Sequence, residues 1–292
     1  MGTRSVSIII PAFNDQLGLD NCLLALAQQT WPADAVEVIV VDNGSTPPLQ
    51  LPPAQLDTVR LIRCLTPGSY AARNAGAAEA TGDILAFTDA DCRPESDWLR
   101  NGIAALLNGD GERIIGGEVL FDAIKSPSAV ALYQIVTGFG QASNVRDKGF
   151  SATANLFCMR RHFKAVGPFD TRLLSGGDRE WCWRASRHGL SLHFEASAVI
   201  HTAPRSNLRS AIRQARRVVG GRKMLRELGL THTGEHAVKK LRSPWQSFIW
   251  ILQRHELGVA DRLRVLAVAS LIKVAAILES FRLALGAQAE RR

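Results

Sequence analysis

The first hundred residues alternate short β-rich apolar runs with helical patterns, and that alternation restricts the possible folds more than any other feature of the chain. Four runs read as strands: Ser5 to Ile10, Val36 to Val41, Val59 to Arg63 and Ile84 to Phe87. Helical patterns over Leu17 to Gln29, Ser69 to Ala80 and Ser96 to Leu107 lie between or after them. Such alternation marks βαβ units feeding a mostly parallel sheet, so an α/β fold is expected. Each strand runs into a polar or Gly/Pro-containing loop: Pro11-Ala12-Phe13-Asn14, Asp42-Asn43-Gly44-Ser45, Pro67-Gly68-Ser69 and Asp89-Ala90-Asp91. In open α/β sheets ligands bind at these carboxyl ends, which directs attention to those four loops.

Further along, Arg113 to Leu120 and Ser151 to Met159 read as strands, and Ala129 to Gly140 as a helix over the site. From Asn207 to Leu228, and again from Trp245 to Leu285, the pattern turns helical and rich in arginine. The expected division is an α/β domain over residues 1–205 and a basic, amphipathic helical region over 206–292.

Charge supports that division. The net +8 is unevenly spread: residues 1–200 hold 17 Lys/Arg against 21 Asp/Glu, and residues 201–292 hold 18 against 6. Arg205, Arg209, Arg213, Arg216, Arg217, Arg222 and Lys223 recur at mostly helical intervals, which suits either an anionic membrane surface or a solvated helix face. Val265 to Leu278 is strongly apolar but short of the ~20 residues that span a bilayer, so it is expected to lie on a membrane or pack within the protein. No zinc, RNA-recognition or helix-turn-helix signature accompanies the basic residues, and no nucleic-acid partner is expected. Five widely spaced cysteines without a CxxC pair read as reduced thiols, and the apolar run Val6 to Ile10 is too short for a signal peptide. A cytoplasmic protein, peripheral on the inner face of a membrane if its tail binds lipid, is the expectation.

Asp89-Ala90-Asp91 follows an apolar strand. In an extended segment residues two apart face one side, so both carboxylates can meet one ligand. Mg²⁺ or Mn²⁺ is commonly held by one or two carboxylates plus substrate phosphates, which makes a divalent cation the expected cofactor. Taken with this pair, Val6-Ser7-Ile8-Ile9-Ile10-Pro11-Ala12-Phe13-Asn14, Val40-Val41-Asp42-Asn43-Gly44-Ser45 and Ala72-Arg73-Asn74-Ala75-Gly76 resemble the family 2 glycosyltransferases, with four motifs in the family's order.

The resemblance implies the GT-A fold, a nucleotide-diphosphate sugar donor with UDP favoured, a divalent cation, and inversion at the anomeric carbon. It places Pro11, Ala12, Phe13, Asn14, Asp42, Asn43, Gly44 and Ser45 around the nucleoside. Asp42 accepts hydrogen bonds from a base or ribose, or caps the turn at Gly44-Ser45. Asn43 stands where relatives often carry a second Asp. Arg73 and Asn74 join the nucleotide side, Arg73 either holding the nucleotide, supporting the Asp89 loop, or forming a surface ion pair. Asp89 and Ala90 belong to the donor site, and Asp91, with Asp89 and His201, to the metal. His201 equally suits a hydrogen-bonded structural role.

A looser likeness covers Gly176-Gly177-Asp178-Arg179-Glu180-Trp181-Cys182-Trp183-Arg184, similar to the family's acidic motif before an acceptor-side helix. There the resemblance makes Asp178 the general base that deprotonates an acceptor hydroxyl; helix capping is the alternative. Glu180 is the rival base or an acceptor-orienting group. Trp181 and Trp183 offer flat faces to a sugar, one of them being expected in the core. The acceptor is expected to be a glycan, polysaccharide or lipid-linked. A nucleotidyltransferase is the rival enzyme, but its Gly-rich N-terminal loop with a basic residue is absent; a silent nucleotide- or carbohydrate-binding module would be expected to lack Asp178 and Glu180.

Overall fold

Strand β1 (Val6–Ala12) is buried along almost its whole length, as a run of VSIIIPA requires when both neighbours are parallel strands. Those neighbours are β2 (Val36–Asp42) and β4 (Ile84–Thr88), with Ile9 opposite Ile39 on one side and Phe87 on the other. β3 (Val59–Arg63) adds to the far side of β2. Helices α1 (Gln16–Leu26), α2 (Ser69–Glu79) and α3 (Trp98–Leu107) connect or follow these strands. In this computed structural model the described residues are 4–52, 59–109, 111–230 and 244–289, without the side chains of 244–247.

The sheet continues through β5 (Cys92–Pro94), β6 (Arg113–Phe121), β7 (Asn155–Met159) and β8 (Ser191–Thr202), in the order β3-β2-β1-β4-β7-β6-β8-β5. β7 runs antiparallel to β4 and to β6, and β5 antiparallel to β8. The chain builds outward from β1 through β2 to β3, then returns to the other side of β1 as β4. The reversal lies between β1 and β4, where an open α/β sheet leaves its binding crevice.

The remaining helices are α4 (Ala129–Thr137), α5 (Gln141–Lys148), α6 (Arg160–Val166), α7 (Gly177–Arg187), α8 (Leu208–Glu227), α9 (Pro244–Leu252) and α10 (Val259–Ala284). Two compact units result: Met1–Leu120 with Gln141–Arg172 and Gly177–Thr202, and Phe121–Gly140 with Leu173–Gly176 and Ala203–Arg292. In the first unit, rings of Phe87, Phe163, Phe169 and Trp181 pack at centroid distances of 5.5–5.7 Å, and Tyr70 joins Phe169 at 5.8 Å. This cluster ties β4, α2, α6 and α7 together. In the second, α8 and α4 pack against α10, with Val130, Ala211 and Val268 at one core and Ile251, Val265 and Ala269 at another.

Several boundaries differ from the sequence expectation, for local reasons. The strand expected from Ser151 begins only at Asn155, because the Gln141 side chain takes the hydrogen bonds a ladder would supply: it accepts from the Ala152 N–H at 3.1 Å and donates to the Ser151 hydroxyl at 2.8 Å. The helix expected to reach Gly140 closes at Thr137, where Gly138 turns to φ 66° and its N–H bonds the Gln134 carbonyl. The pattern from Trp245 to Leu285 is two helices broken ahead of Gly258. Among the described residues no helix is long and apolar enough to cross a membrane.

Candidate active site

The loops after β1 and β2 are locked to each other by side chains. Asn14, with φ 51°, receives the Thr46 N–H on its side-chain oxygen at 2.8 Å, while its own N–H bonds the Ser45 hydroxyl at 2.9 Å. Asp42 is buried; its carboxylate accepts the N–H of Ser45 at 2.8 Å and of Leu49 at 3.4 Å. Burial pushes the Asp42 pKa upward, but these hydrogen bonds, with Arg63 nearby, outweigh it and hold the carboxyl below its ordinary value. The turn-capping role of Asp42 is therefore present in the fold itself. Buried Asn43 bridges the next loop, donating to the Cys64 carbonyl at 3.0 Å and the Thr66 carbonyl at 2.8 Å and accepting the Gly68 N–H at 2.8 Å. Phe13, 38% exposed, is the apolar surface these loops offer a ligand.

Asp89-Ala90-Asp91 lies in a turn rather than an extended segment: the Cys92 N–H reaches back to the Asp89 carbonyl at 3.1 Å. The two carboxylates consequently do different things. Asp89 is ion-paired with the Arg73 guanidinium, whereas Asp91 is exposed and Ala90 is buried beneath the turn. The Arg73 side chain is 5% exposed, and its Nε–H is buried without a hydrogen-bond partner among the described residues. A buried orphan donor on a cation suits an anionic ligand such as a phosphate. The neighbouring Asn74 faces elsewhere. Its amide donates to the Phe169 carbonyl at 2.8 Å and accepts the Phe169 N–H at 2.9 Å, clamping α2 to the segment before α7.

Tyr70, one turn before Arg73 on α2, reaches the acidic motif. Its hydroxyl donates to an Asp178 carboxylate oxygen at 3.4 Å, and its ring lies 5.8 Å from the Arg73 guanidinium. Asp178 occupies the first turn of α7 and also accepts the Arg179 N–H at 2.9 Å. Burial raises the Asp178 pKa; Arg179, Arg73 and the Tyr70 hydroxyl oppose the rise without cancelling it. A half-buried carboxyl whose pKa is raised suits proton transfer.

Glu180 has a different task. It is 4% exposed and paired with Arg184 at 2.7 and 2.9 Å, while Arg184 also donates to the carbonyls of Val166 at 2.5 Å and Pro168 at 2.7 Å. That network fastens α7 to the end of α6. Trp181 is fully buried, bonded through its indole N–H to the Gly167 carbonyl at 2.9 Å, so it offers no face to a sugar. Trp183 is half-buried and bonds the Lys148 carbonyl at 3.1 Å, with the Arg179 guanidinium 5.7 Å from its ring. His201 meets Glu95 at 2.8 Å across the β5–β8 pairing.

No group of three or more His, Cys, Asp or Glu that could hold a divalent cation occurs among the described residues. An exposed carboxylate at Asp91 fits a cation whose remaining oxygen ligands come from a diphosphate and water, the manner in which Mg²⁺ is usually held. Sequence reasoning passed over Tyr70, Glu95 and Arg184. The first had a signal: it stands three residues before Arg73, on the same helix face.

The family model of Glycosyl transferase family 2 matches residues 7–155. Glycosyltransferase AglE of Haloferax volcanii is 38% identical over 194 residues, covering 65% of this chain and 64% of that protein. The pre-mycofactocin glycosyltransferase of Mycobacterium tuberculosis is 28% identical over 219 residues, 72% of this chain and 45% of that one. The chain thus spans less than two thirds of either relative. Among solved structures, a mannosyltransferase from Pyrobaculum calidifontis in complex with GDP-Man and Mn²⁺ superimposes with a TM-score of 0.62 at 18% identity, over 96% of this chain and 88% of that one. The shared architecture is GT-A.

Proposed function

Because the chain belongs to glycosyl transferase family 2, we propose that it moves a sugar from a nucleotide-diphosphate donor, with a UDP-sugar favoured, to the hydroxyl of a glycan, polysaccharide or lipid-linked acceptor, with inversion. Residues 1–205 are read as the catalytic domain and 206–292 as a basic appendage that meets an anionic membrane surface. The observation that carries the catalytic reading is the position of α2: Arg73 holds Asp89 of the turn after β4, and Tyr70, one turn earlier, holds Asp178.

In this reading Pro11–Asn14, Asp42 and the loop it caps receive the nucleoside, and Arg73 faces the diphosphate with its buried guanidinium. Asp91, together with the donor's phosphates, holds Mg²⁺ or Mn²⁺, which supplies charge neutralisation for the departing diphosphate. Asp178 takes the proton of the acceptor hydroxyl as that oxygen bonds to the anomeric carbon. The sugar–phosphate bond breaks in the same displacement, so no covalent glycosyl-enzyme is required. Trp183 serves as the acceptor-side aromatic, and His201, hydrogen-bonded to Glu95, as a ligand of the cation or a contact for the diphosphate.

A thermal-shift series with UDP, GDP, CMP and dTDP, each with and without Mn²⁺, on the wild type and Asp91→Ala tests the donor half. A metal-dependent shift with one nucleotide that Asp91→Ala abolishes is the expected result. No shift with any of the four would overturn the reading. Asp178→Asn tests the base: it should bind nucleotide like the wild type and lose sugar transfer by roughly 10²–10⁴-fold.

A further inference from the structure

Helix α10 is apolar on two faces. One is packed: Val265, Val268, Ala269, Ala275 and Leu283 are buried, against α4, α8 and α9. On the other side Leu263, Leu271, Val274, Leu278, Phe281 and Leu285 are 61%, 48%, 53%, 60%, 66% and 89% exposed. At about 100° per residue these six fall within an arc of about 80°, and at about 1.5 Å of rise they form a line about 33 Å long. Isolated exposed leucines are ordinary on protein surfaces, but six in one uncharged line are the mark of an interaction face.

Charge identifies the occupant. Arg264 and Arg282 lie along one edge of the line and pair, at 3.3 and 2.6 Å, with Asp261 and Glu279 further round, Glu279 being buried. α8 runs beside α10 and carries exposed Arg209, Arg213, Arg217, Arg222 and Arg226 against a single acid, Glu227. Residues 201–292 carry 18 Lys/Arg against 6 Asp/Glu, so two copies packed line to line would bring two strongly basic regions together. A lipid surface with anionic headgroups satisfies both features. An amphipathic helix of this kind lies in the interface plane, its apolar side sunk about 5–10 Å and its cations at phosphate level.

We propose that the exposed face of α10 inserts into the interfacial layer of an anionic bilayer, with α10 parallel to the membrane and the basic residues flanking its apolar line among the headgroups. The proposal rests on the reading that residues 206–292 meet a membrane, and adds that apolar insertion, not charge alone, holds the protein there. It is independent of the catalytic assignment.

The test is flotation of the full chain with phosphatidylcholine vesicles with and without phosphatidylglycerol, at low salt and at about 1 M salt, where the Debye length is about 3 Å. The wild type should float with the anionic vesicles and remain partly bound at high salt. Leu271→Gln/Leu278→Gln should keep its circular dichroism and melting temperature, lose binding by about tenfold or more, and release completely in salt. If the double variant binds like the wild type, or the wild type releases completely in salt, insertion is wrong while an electrostatic membrane contact stands. If the wild type binds no vesicle, both fail; a dimer that the double variant dissociates would assign the face to a second copy.

Discussion

The Tyr70 ring stands where a side chain at position 177 would begin: a Cβ on Gly177 would lie 2.7–2.9 Å from three of its ring atoms. Gly177, having no side chain, leaves that space to the phenol. The same approach brings the Tyr70 hydroxyl to Asp178 at 3.4 Å, so a missing side chain on α7 is matched by a hydrogen-bond donor from α2.

Tyr70→Phe should therefore alter proton transfer more than folding. Asp178 works ionised; burial favours its neutral form, and the phenol donates to the anion. Losing the donor raises its pKa further, so the acidic limb of the kcat/KM profile should move up by about half to one pH unit, with donor KM unchanged. Activity lost at mildly acidic pH should return as pH rises. A pH–rate profile of donor turnover checks this, and a limb that stays in place would assign the phenol a packing role only.

Gly177→Ala should be destabilising by about 1–3 kcal/mol, the usual cost of forcing a methyl group into a packed site. Its combination with Tyr70→Leu should be less harmful than the sum of the two, because the contact is shared. Urea denaturation of the three variants measures the coupling.

Asn43→Asp should be destabilising at neutral pH although it restores an acid that relatives often carry. Two side-chain hydrogen bonds of Asn43 need an N–H donor, for the carbonyls of Cys64 and Thr66. A carboxylate would face both with like partial charge, at a cost of about 2–3 kcal/mol. Because that folded state favours the protonated acid, the group's folded pKa is raised, and stability should recover as pH falls toward 4, the ordinary Asp range being about 3.9. Thermal melts of both proteins across pH would show the gap closing.

Arg73→Met removes the cation between Asp89 and Tyr70. Asp89 is about a third exposed, so water replaces part of the lost interaction and a loss of about 2 kcal/mol is expected. Nucleotide affinity should fall with it, whereas Arg60→Met, which breaks an exposed pair with Glu79 at 2.8 Å, should change neither by more than about 0.5 kcal/mol. Isothermal titration and melting curves separate the two.

The parallel half of the sheet was legible because β1, β2 and β4 are buried on both faces and leave unbroken apolar runs between turn residues. β8 was not assigned, although Ser191-Leu192-His193-Phe194-Glu195 carries the polar/apolar alternation of a strand, before Ala198 and Ile200 enter the core. β5 is three residues long and defined only by pairing with β8. At the site, residue types pointed to the strand-end loops but not to their partners distant in sequence. Asp89 and Asp91 look equivalent in sequence, and only Arg73 on another element separates them. Trp181 and Trp183 differ by two residues, and their exposure follows from Phe163 and Phe169 beneath one of them.

The clamp of Asn74 on Phe169 makes α2 a ruler. Tyr70, Arg73 and Asn74 lie within about one helical turn, about 5.4 Å of rise, and in the proposed mechanism they set the offset between leaving-group side and base. One residue inserted between Tyr70 and Arg73 would rotate one contact by about 100° and shift it by about 1.5 Å relative to the other, and the halves of the site would lose their common scale.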